Sequence, residues 1–205
     1  MRIIAGRKPL KKKFKLKQHP FPYNSFIGGW YIPEKICDDM IKFFEDHREL
    51  HEIGSVGGKE GMEIVPESKD SIDIGVHPQE GMPPFNDYRI YLQKCLEKYE
   101  KKYRAISIYS KFNLNTHFNI QKYSKGGGFK TFHFERQRPY NRVLVFMTYL
   151  NNVDDGGTRF HYQRLNCPAK KGLTILWPTD FTHLHRGIIS HTQEKYIVTG
   201  WLSFS

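Results

Sequence analysis

Phe132-His133-Phe134-Glu135 sets an imidazole and a carboxylate two residues apart, and Thr182-His183-Leu184-His185-Arg186-Gly187 brings further imidazoles later in the chain. In an extended strand residues i and i+2 share a face, so His133 and Glu135 address one ion while Phe134 turns the other way into apolar packing. A distant strand must supply the third donor, and His185 completes the set. Two imidazoles and one carboxylate on one side of a metal leave the remaining positions open. That arrangement suits non-haem Fe(II) that has to take a co-substrate and dioxygen. The H-x-E tripeptide by itself carries little weight, because a surface His-Glu pair is usually just solvated.

The order of the surrounding segments gives the pair its meaning. Upstream, Phe118-Asn119-Ile120-Gln121-Lys122-Tyr123 alternates and ends at Gly126-Gly127-Gly128. Downstream come the apolar run 142–151, the turn Asp154-Asp155-Gly156-Gly157-Thr158-Arg159-Phe160 and the segment 168–173. The chain closes on His185-Arg186-Gly187, Lys195-Tyr196-Ile197 and Thr199-Gly200-Trp201-Leu202. This order resembles the catalytic domain of the prolyl 4-hydroxylase-like 2-oxoglutarate/Fe(II)-dependent dioxygenases, and the resemblance covers residues 106–205. It implies His133, Glu135 and His185 as iron ligands and Lys195 as the cation for the distal carboxylate of 2-oxoglutarate. It also implies Tyr123 as a hydrogen-bond partner of the co-substrate, and ascorbate as reductant. A lysine there acts as a point charge in a charge-assisted hydrogen bond, where arginine would be a bidentate fork.

The chain departs from the family pattern in three places. Glu135 stands where Asp is commoner, so a longer side chain must reach the metal from the same strand. Gly157-Thr158-Arg159 lacks the usual Glu before its Thr. His183, two residues before His185 and its same-face neighbour on a strand, competes as third ligand; the spacing of His185 to Lys195 and Trp201 favours His185. Arg142 and Arg186 read first as strand-end charges and remain candidate substrate contacts. His117, His161 and His191 have no partner spacing and read as ordinary polar residues. The glycines 126–128 lack the context of a phosphate cradle and read as a flexible loop over the pocket.

At 205 residues, with 39% hydrophobic and 15% aromatic side chains, the chain fits one domain with a sizeable core. Cys37, Cys95 and Cys167 are odd in number and form no CxxC pair, which argues against a disulfide framework or zinc knuckle and for a reducing compartment. The net charge of +11 is concentrated. Arg2, Arg7, Lys8, Lys11, Lys12, Lys13, Lys15 and Lys17 lie in residues 1–18 with no acid among them, leaving the body near +3. We therefore expect a basic N-terminal arm over 1–18 that could touch phosphate, an acidic protein or nothing specific. The single domain then spans 19–205. No apolar run follows that would make a signal peptide or cross a bilayer. A short one-domain form resembles bacterial or viral family members and implies a cytoplasmic protein.

Pro33 opens a helix over 33–50 in which Ile36, Met40, Ile41, Phe43 and Phe44 recur near helical spacing, and a second helix over 87–103 carries Tyr91, Leu92, Cys95, Leu96 and Tyr99. Residues 54–84 read as a long irregular loop. After residue 105 short alternating strands follow one another, with turns at 126–128, 154–157 and 170–172. Leu144, Phe146 and Tyr149, set among Val143, Val145 and Met147, read as two buried sheet faces. The expected fold is mostly β with flanking N-terminal helices: helical support over 19–104, then a double-stranded β-helix, a cupin-like jelly roll, over 105–205. Phe118, Ile120, Val143 and Val145, or their alternates, fill its core, the ligands sit at the open end, and the 54–84 loop folds over that mouth.

Three functions follow from these residues. The first, implied by the resemblance, is hydroxylation of an amino-acid side chain, with proline in a peptide or protein foremost. The second keeps the chemistry but directs it to a nucleobase or small metabolite, the basic arm holding nucleic acid; this partner is not favoured. The third is a metal-containing jelly-roll binding module without turnover, against which the retention of Lys195 beside the three ligands counts.

Overall fold

The computed structural model describes residues 15–57, 61–108, 111–136 and 141–204. Most of the expected basic arm lies outside the described residues. Its last part does not hang free: Leu16 is buried in the core, and the Tyr31 N–H donates to the Lys17 carbonyl at 2.9 Å.

Helix α1 (Glu34–Asp46) is capped by Pro33 and buries Ile36, Cys37, Met40 and Phe44 on one stripe. It stops short of the expected residue 50. His47 leaves helical geometry, its ring turns back to the Phe43 carbonyl, and a 3-10 turn, Arg48–Leu50, follows. Helix α2 (Phe85–Lys102) buries Tyr88, Leu92, Cys95, Leu96 and Tyr99. Lys101 and Lys102 close it, where cations suit the carbonyl end of the helix dipole. The three cysteines are free and buried. No helix among the described residues is long and apolar enough to cross a membrane.

The strands in chain order are β1 (Gly28–Tyr31), β2 (Glu52–Ile53), β3 (Val56–Gly57), β4 (Met62–Glu63), β5 (Lys69–Asp70), β6 (Ile72–Val76), β7 (Phe112–Asn113) and β8 (Phe118–Tyr123). There follow β9 (Gly128–Phe129), β10 (Arg142–Tyr149), β11 (Val153–Phe160), β12 (Leu165–Ala169), β13 (Leu173–Pro178), β14 (His185–Ile188) and β15 (Lys195–Phe204). The large antiparallel sheet runs β1-β13-β10-β15-β8-β6-β2, with β7 also on β15. A smaller sheet, β12-β11-β14, faces it. This is the double-stranded β-helix with helices behind the larger sheet.

Strand β10 shows why the run 142–151 is apolar on both faces. Leu144 and Phe146 pack with Phe118, Ile120, Leu92 and Phe44 on the helix side. Val145, Met147 and Tyr149 point into the roll, against Trp177 and Phe160. Each large side chain buried this way contributes roughly 1.5–3 kcal/mol. Val143 is only partly buried, beside a register shift between Arg142 and Leu144.

Three expectations need correcting. Residues 54–84 are not one irregular loop. Strand β6 pairs with β8 inside the large sheet and β2 extends it, while β3 and β4 form a hairpin. Residues 154–157 are not a turn but a bulged stretch inside β11, with Gly157 at φ +133° and the Cys167 carbonyl where a Cβ would sit. The glycine loop 126–128 is also tied down. The Gly126 N–H donates to the Ser190 carbonyl, and β9 pairs with β5.

Candidate metal centre

Residues 131–136 do not form a regular strand. A single bridge joins His133 to His185, each N–H donating to the other's carbonyl at 2.9 Å. The Thr179 carbonyl then accepts the N–H groups of Glu135 and Arg136 at 3.1 and 3.0 Å. His133 and Glu135 still share a side, but Phe134 departs from expectation: it is 37% exposed and borders the cavity. With a ladder only one pair long, no sheet face exists on the far side to cover it.

His133, Glu135 and His185 each offer one donor atom, and all three atoms lie within 4.8 Å of one another. Glu135 Oε1 is 3.3 Å from His133 Nε2 and 3.7 Å from His185 Nε2. Both rings are oriented in the same manner. His133 Nδ1 sits 3.1 Å from the Thr131 carbonyl and His185 Nδ1 2.8 Å from the His183 carbonyl, each two residues upstream. A proton held on Nδ1 by that carbonyl leaves Nε2 with its lone pair facing the cluster. Glu135 Oε2 accepts from Trp201 Nε1 at 3.0 Å and lies 3.6 Å from Arg142, whose guanidinium stacks 3.7 Å from the Trp201 ring centroid. The glutamate is therefore pinned by one oxygen and presents the other.

The donor chemistry fits a divalent ion. Burial, with His133 close by, holds the His185 imidazolium pKa down to about 3, so the ring is neutral. Burial pushes the Glu135 carboxyl up, yet the proximity of His133 and the nearby Arg142 guanidinium outweigh this and bring it to about 2. Neutral imidazole and ionised carboxylate are the states a metal requires.

His183 is placed elsewhere. It belongs to a 3-10 turn, Phe181–His183, so the strand parity expected of it lapses. Its Nε2 lies 3.0 Å from the Ser25 carbonyl and its Nδ1 3.0 Å from the Thr182 hydroxyl.

The cluster lies in a cavity of about 440 Å³ that also contains Tyr123, Arg142, Lys195 and Trp201. Lys195 and Tyr123 are direct cross-strand partners on β15 and β8. Lys195 is 4% exposed, and its ammonium donates to the Ile188 carbonyl at 3.1 Å and lies 5.2 Å from the Tyr123 ring centroid. Among the described residues no carboxylate pairs with it, and burial lowers its pKa to about 8. A buried cation without an anion, beside three metal donors, fits the far carboxylate of a dicarboxylic oxoacid. The Tyr123 hydroxyl donates to Gln121 Oε1 at 2.8 Å. Arg186 does not line the cavity; its guanidinium stands 4.7 Å over the Phe132 ring on the outer side of β14.

Several cavity residues escaped the sequence reading. Asn119, Gln121 and Tyr123 alternate along β8, and Lys195, Ile197, Thr199 and Trp201 along β15, so strand parity from Tyr123 and Lys195 would have found them. Lys69 and Asp73 carried no such signal. They form a buried pair at 2.6 Å, and Asp73 also accepts from Ser71 and Gln121. Their position depends on the pairing of β6 with β8 and of β5 with β9.

Residues 118–203 match the family model of the 2OG-Fe(II) oxygenase superfamily, a stretch that holds all three donors and Lys195. No curated protein matches the chain in sequence. Among solved structures it is similar to a prolyl-4-hydroxylase from Pseudomonas putida, at 12% identity and a TM-score of 0.62, covering 87% of this chain and 92% of that one. It is also similar to the viral collagen prolyl hydroxylase of Paramecium Bursaria Chlorella virus-1 in its 2OG complex, at 18% identity and a TM-score of 0.62, covering 86% and 95%. A third is a Trichoplax adhaerens prolyl hydroxylase in complex with a hypoxia inducible factor peptide fragment, at 10% identity and a TM-score of 0.67, covering 87% and 84%. Residues 118–203 thus match a 2OG-Fe(II) oxygenase domain, and the fold is prolyl hydroxylase-like. The protein is a dioxygenase with Fe(II) and 2-oxoglutarate as its cofactors.

Proposed function

We propose that this dioxygenase hydroxylates a side chain in a peptide or protein, with proline the first residue to test. The observation that carries the site assignment is the meeting, in one cavity, of three metal donors and a buried, anion-free lysine. His133 Nε2, His185 Nε2 and Glu135 Oε1 would hold the iron. Lys195 would hold the distal carboxylate of 2-oxoglutarate, and Tyr123 packs beside it. Iron and the oxoacid together supply the activation of dioxygen, coupling oxidation of a substrate C–H bond to decarboxylation of the oxoacid to succinate. The protein's own task is positioning and shielding. Trp201 and Arg142 fix Glu135, and Arg142, Phe134 and Trp201 border the space a substrate side chain enters. The likeness in fold to prolyl hydroxylases supports a peptidyl substrate, and ascorbate is the expected reductant.

The test begins with anaerobic titration of the apo-protein by Fe(II) and 2-oxoglutarate, read by the visible charge-transfer band of the chelated oxoacid. The band should form in the wild type and vanish in His133→Ala. Prolyl peptides are then incubated aerobically and read by mass for one added oxygen. A folded wild-type protein that forms no band sinks the site assignment; a band with uncoupled oxoacid consumption but no oxidised peptide sinks the choice of substrate.

A further inference from the structure

We propose that the outer face of the small sheet is a docking surface for an acidic stretch of the polypeptide substrate, an inference that rests on the peptide-substrate reading above. Register places Asn166, Arg159 and Arg186 side by side across β12, β11 and β14. Along β11, Thr158 and Phe160 are buried while Arg159 between them is exposed, so this row faces solvent. The turn that follows adds His161, Tyr162 and Arg164, which line a shallow concavity with Arg159 and Asn166. Among the described residues none of the three arginines is in an ion pair.

Like charges directly opposite each other on antiparallel strands repel. An outward-facing position tolerates almost any polar side chain, so nothing in the fold requires Arg159 to face Arg186. An arrangement that sets like charges opposite each other and gives them no carboxylate among the described residues is one that an external anion relieves.

The surface is also preformed. The His161 N–H donates to the Leu184 carbonyl at 2.8 Å and Gln163 Nε2 to the Thr182 carbonyl at 3.0 Å, so the turn loses little freedom when a ligand binds. It adjoins the cavity mouth. Arg186 follows His185 and stands over Phe132, which precedes His133, and the His161 ring meets Phe132 edge-on at 5.3 Å. A polypeptide with one residue in the cavity passes over Phe132 onto this row.

Guanidinium forks match carboxylates bidentately. Nucleic acid is the other anion to weigh, but one short row is less than the extended basic tract that phosphate backbones need, and residues 19–205 carry a net charge of only about +3.

The test is fluorescence anisotropy at low salt on the full-length protein, with a labelled octaglutamate peptide and, separately, a single-stranded oligonucleotide of equal charge. The basic N-terminal segment is common to all the proteins compared, so the difference between them is what counts. The double variant Arg159→Gln/Arg164→Gln should weaken peptide binding at least tenfold while keeping the Fe(II)/2-oxoglutarate band. If it does not fold, the single variant Arg159→Gln should weaken it by about half as much on a logarithmic scale. Peptide binding unchanged in these variants, or absent from the wild type, overturns the proposal. So does oligonucleotide binding that is tighter than peptide binding and lost in the same variants. Loss of the band in the wild type would count against the catalytic assignment alone, since the anisotropy difference does not depend on it.

Discussion

The two oxygens of Glu135 have different fates, and the difference defines how the site works. Oε2 is taken by Trp201 and approached by Arg142, so Oε1 alone faces the imidazoles. This is how a residue longer than Asp keeps its reach: the extra methylene is absorbed by a tether to the last strand. Trp201→Phe keeps the ring against Arg142 but removes the N–H. We expect iron affinity to fall about tenfold, the usual scale for losing a partner that orients a ligand, as read by the charge-transfer titration; unchanged affinity would refute the tether. Lys195 gives a second prediction. Its pKa falls from 10.5 to about 8 on burial, so between those values the unfolded chain binds more protons and stability rises with pH. Below pH 8 the buried charge opposes folding by roughly 3 kcal/mol. Lys195→Met should therefore raise the melting temperature of the apo-protein at pH 7 and abolish 2-oxoglutarate binding. Wild-type affinity for the oxoacid should itself decline above pH 8. A variant that melts lower than wild type would show that the lysine serves the fold. At this scale the H-x-E pair and the spacing of His185 to Lys195 were legible, because ligand sets are carried by side-chain type. The exposure of Phe134 and the bond from Trp201 were not, since they depend on where one-residue bridges and strand registers fall.

Among the elements, the segment before α2 repays separating into its parts. Strand β6 belongs to the large sheet, and Lys69 and Asp73 are buried against Gln121, so removing all of residues 54–84 would tear out structure. The β3–β4 hairpin is different: it is a two-stranded flap whose Val56, Gly57 and Met62 border the cavity, with Met62 67% exposed. Replacing the hairpin with a short glycine linker should spare the charge-transfer band and lower turnover of a peptide substrate by at least tenfold. Equal turnover would remove the hairpin from substrate handling. The helices and long strands were readable from their apolar periodicity. The short strands of this segment were not, because a two-residue strand has no periodicity and is defined only by its partner. His183 failed for a related reason: a 3-10 turn interrupts the alternation its neighbours imply.

At the level of the whole molecule, the large sheet is shared by two apolar clusters, one against the helices and one inside the roll. Strand β10 contributes alternate residues to both, so neither can form without the other. Unfolding in urea should therefore give coincident transitions by far-ultraviolet circular dichroism, which is dominated by α1 and α2, and by tryptophan fluorescence of a Trp30→Phe variant, which leaves Trp177 and Trp201 on the roll side as reporters. Two separated transitions would mean that the helices and the roll are independent units.

The paired tethers on His133 and His185, each ring held by a carbonyl two residues upstream, imply something about supply as well as catalysis. Three protein donors that leave the other positions open pose little geometric obstacle to a wrong ion of similar size. Nitrogen and oxygen sites of this kind bind Co(II), Ni(II) and Zn(II) more tightly than Fe(II). Which metal the protein carries is then decided by which is available where it folds, and trace contamination in a preparation would pass for an inactive enzyme.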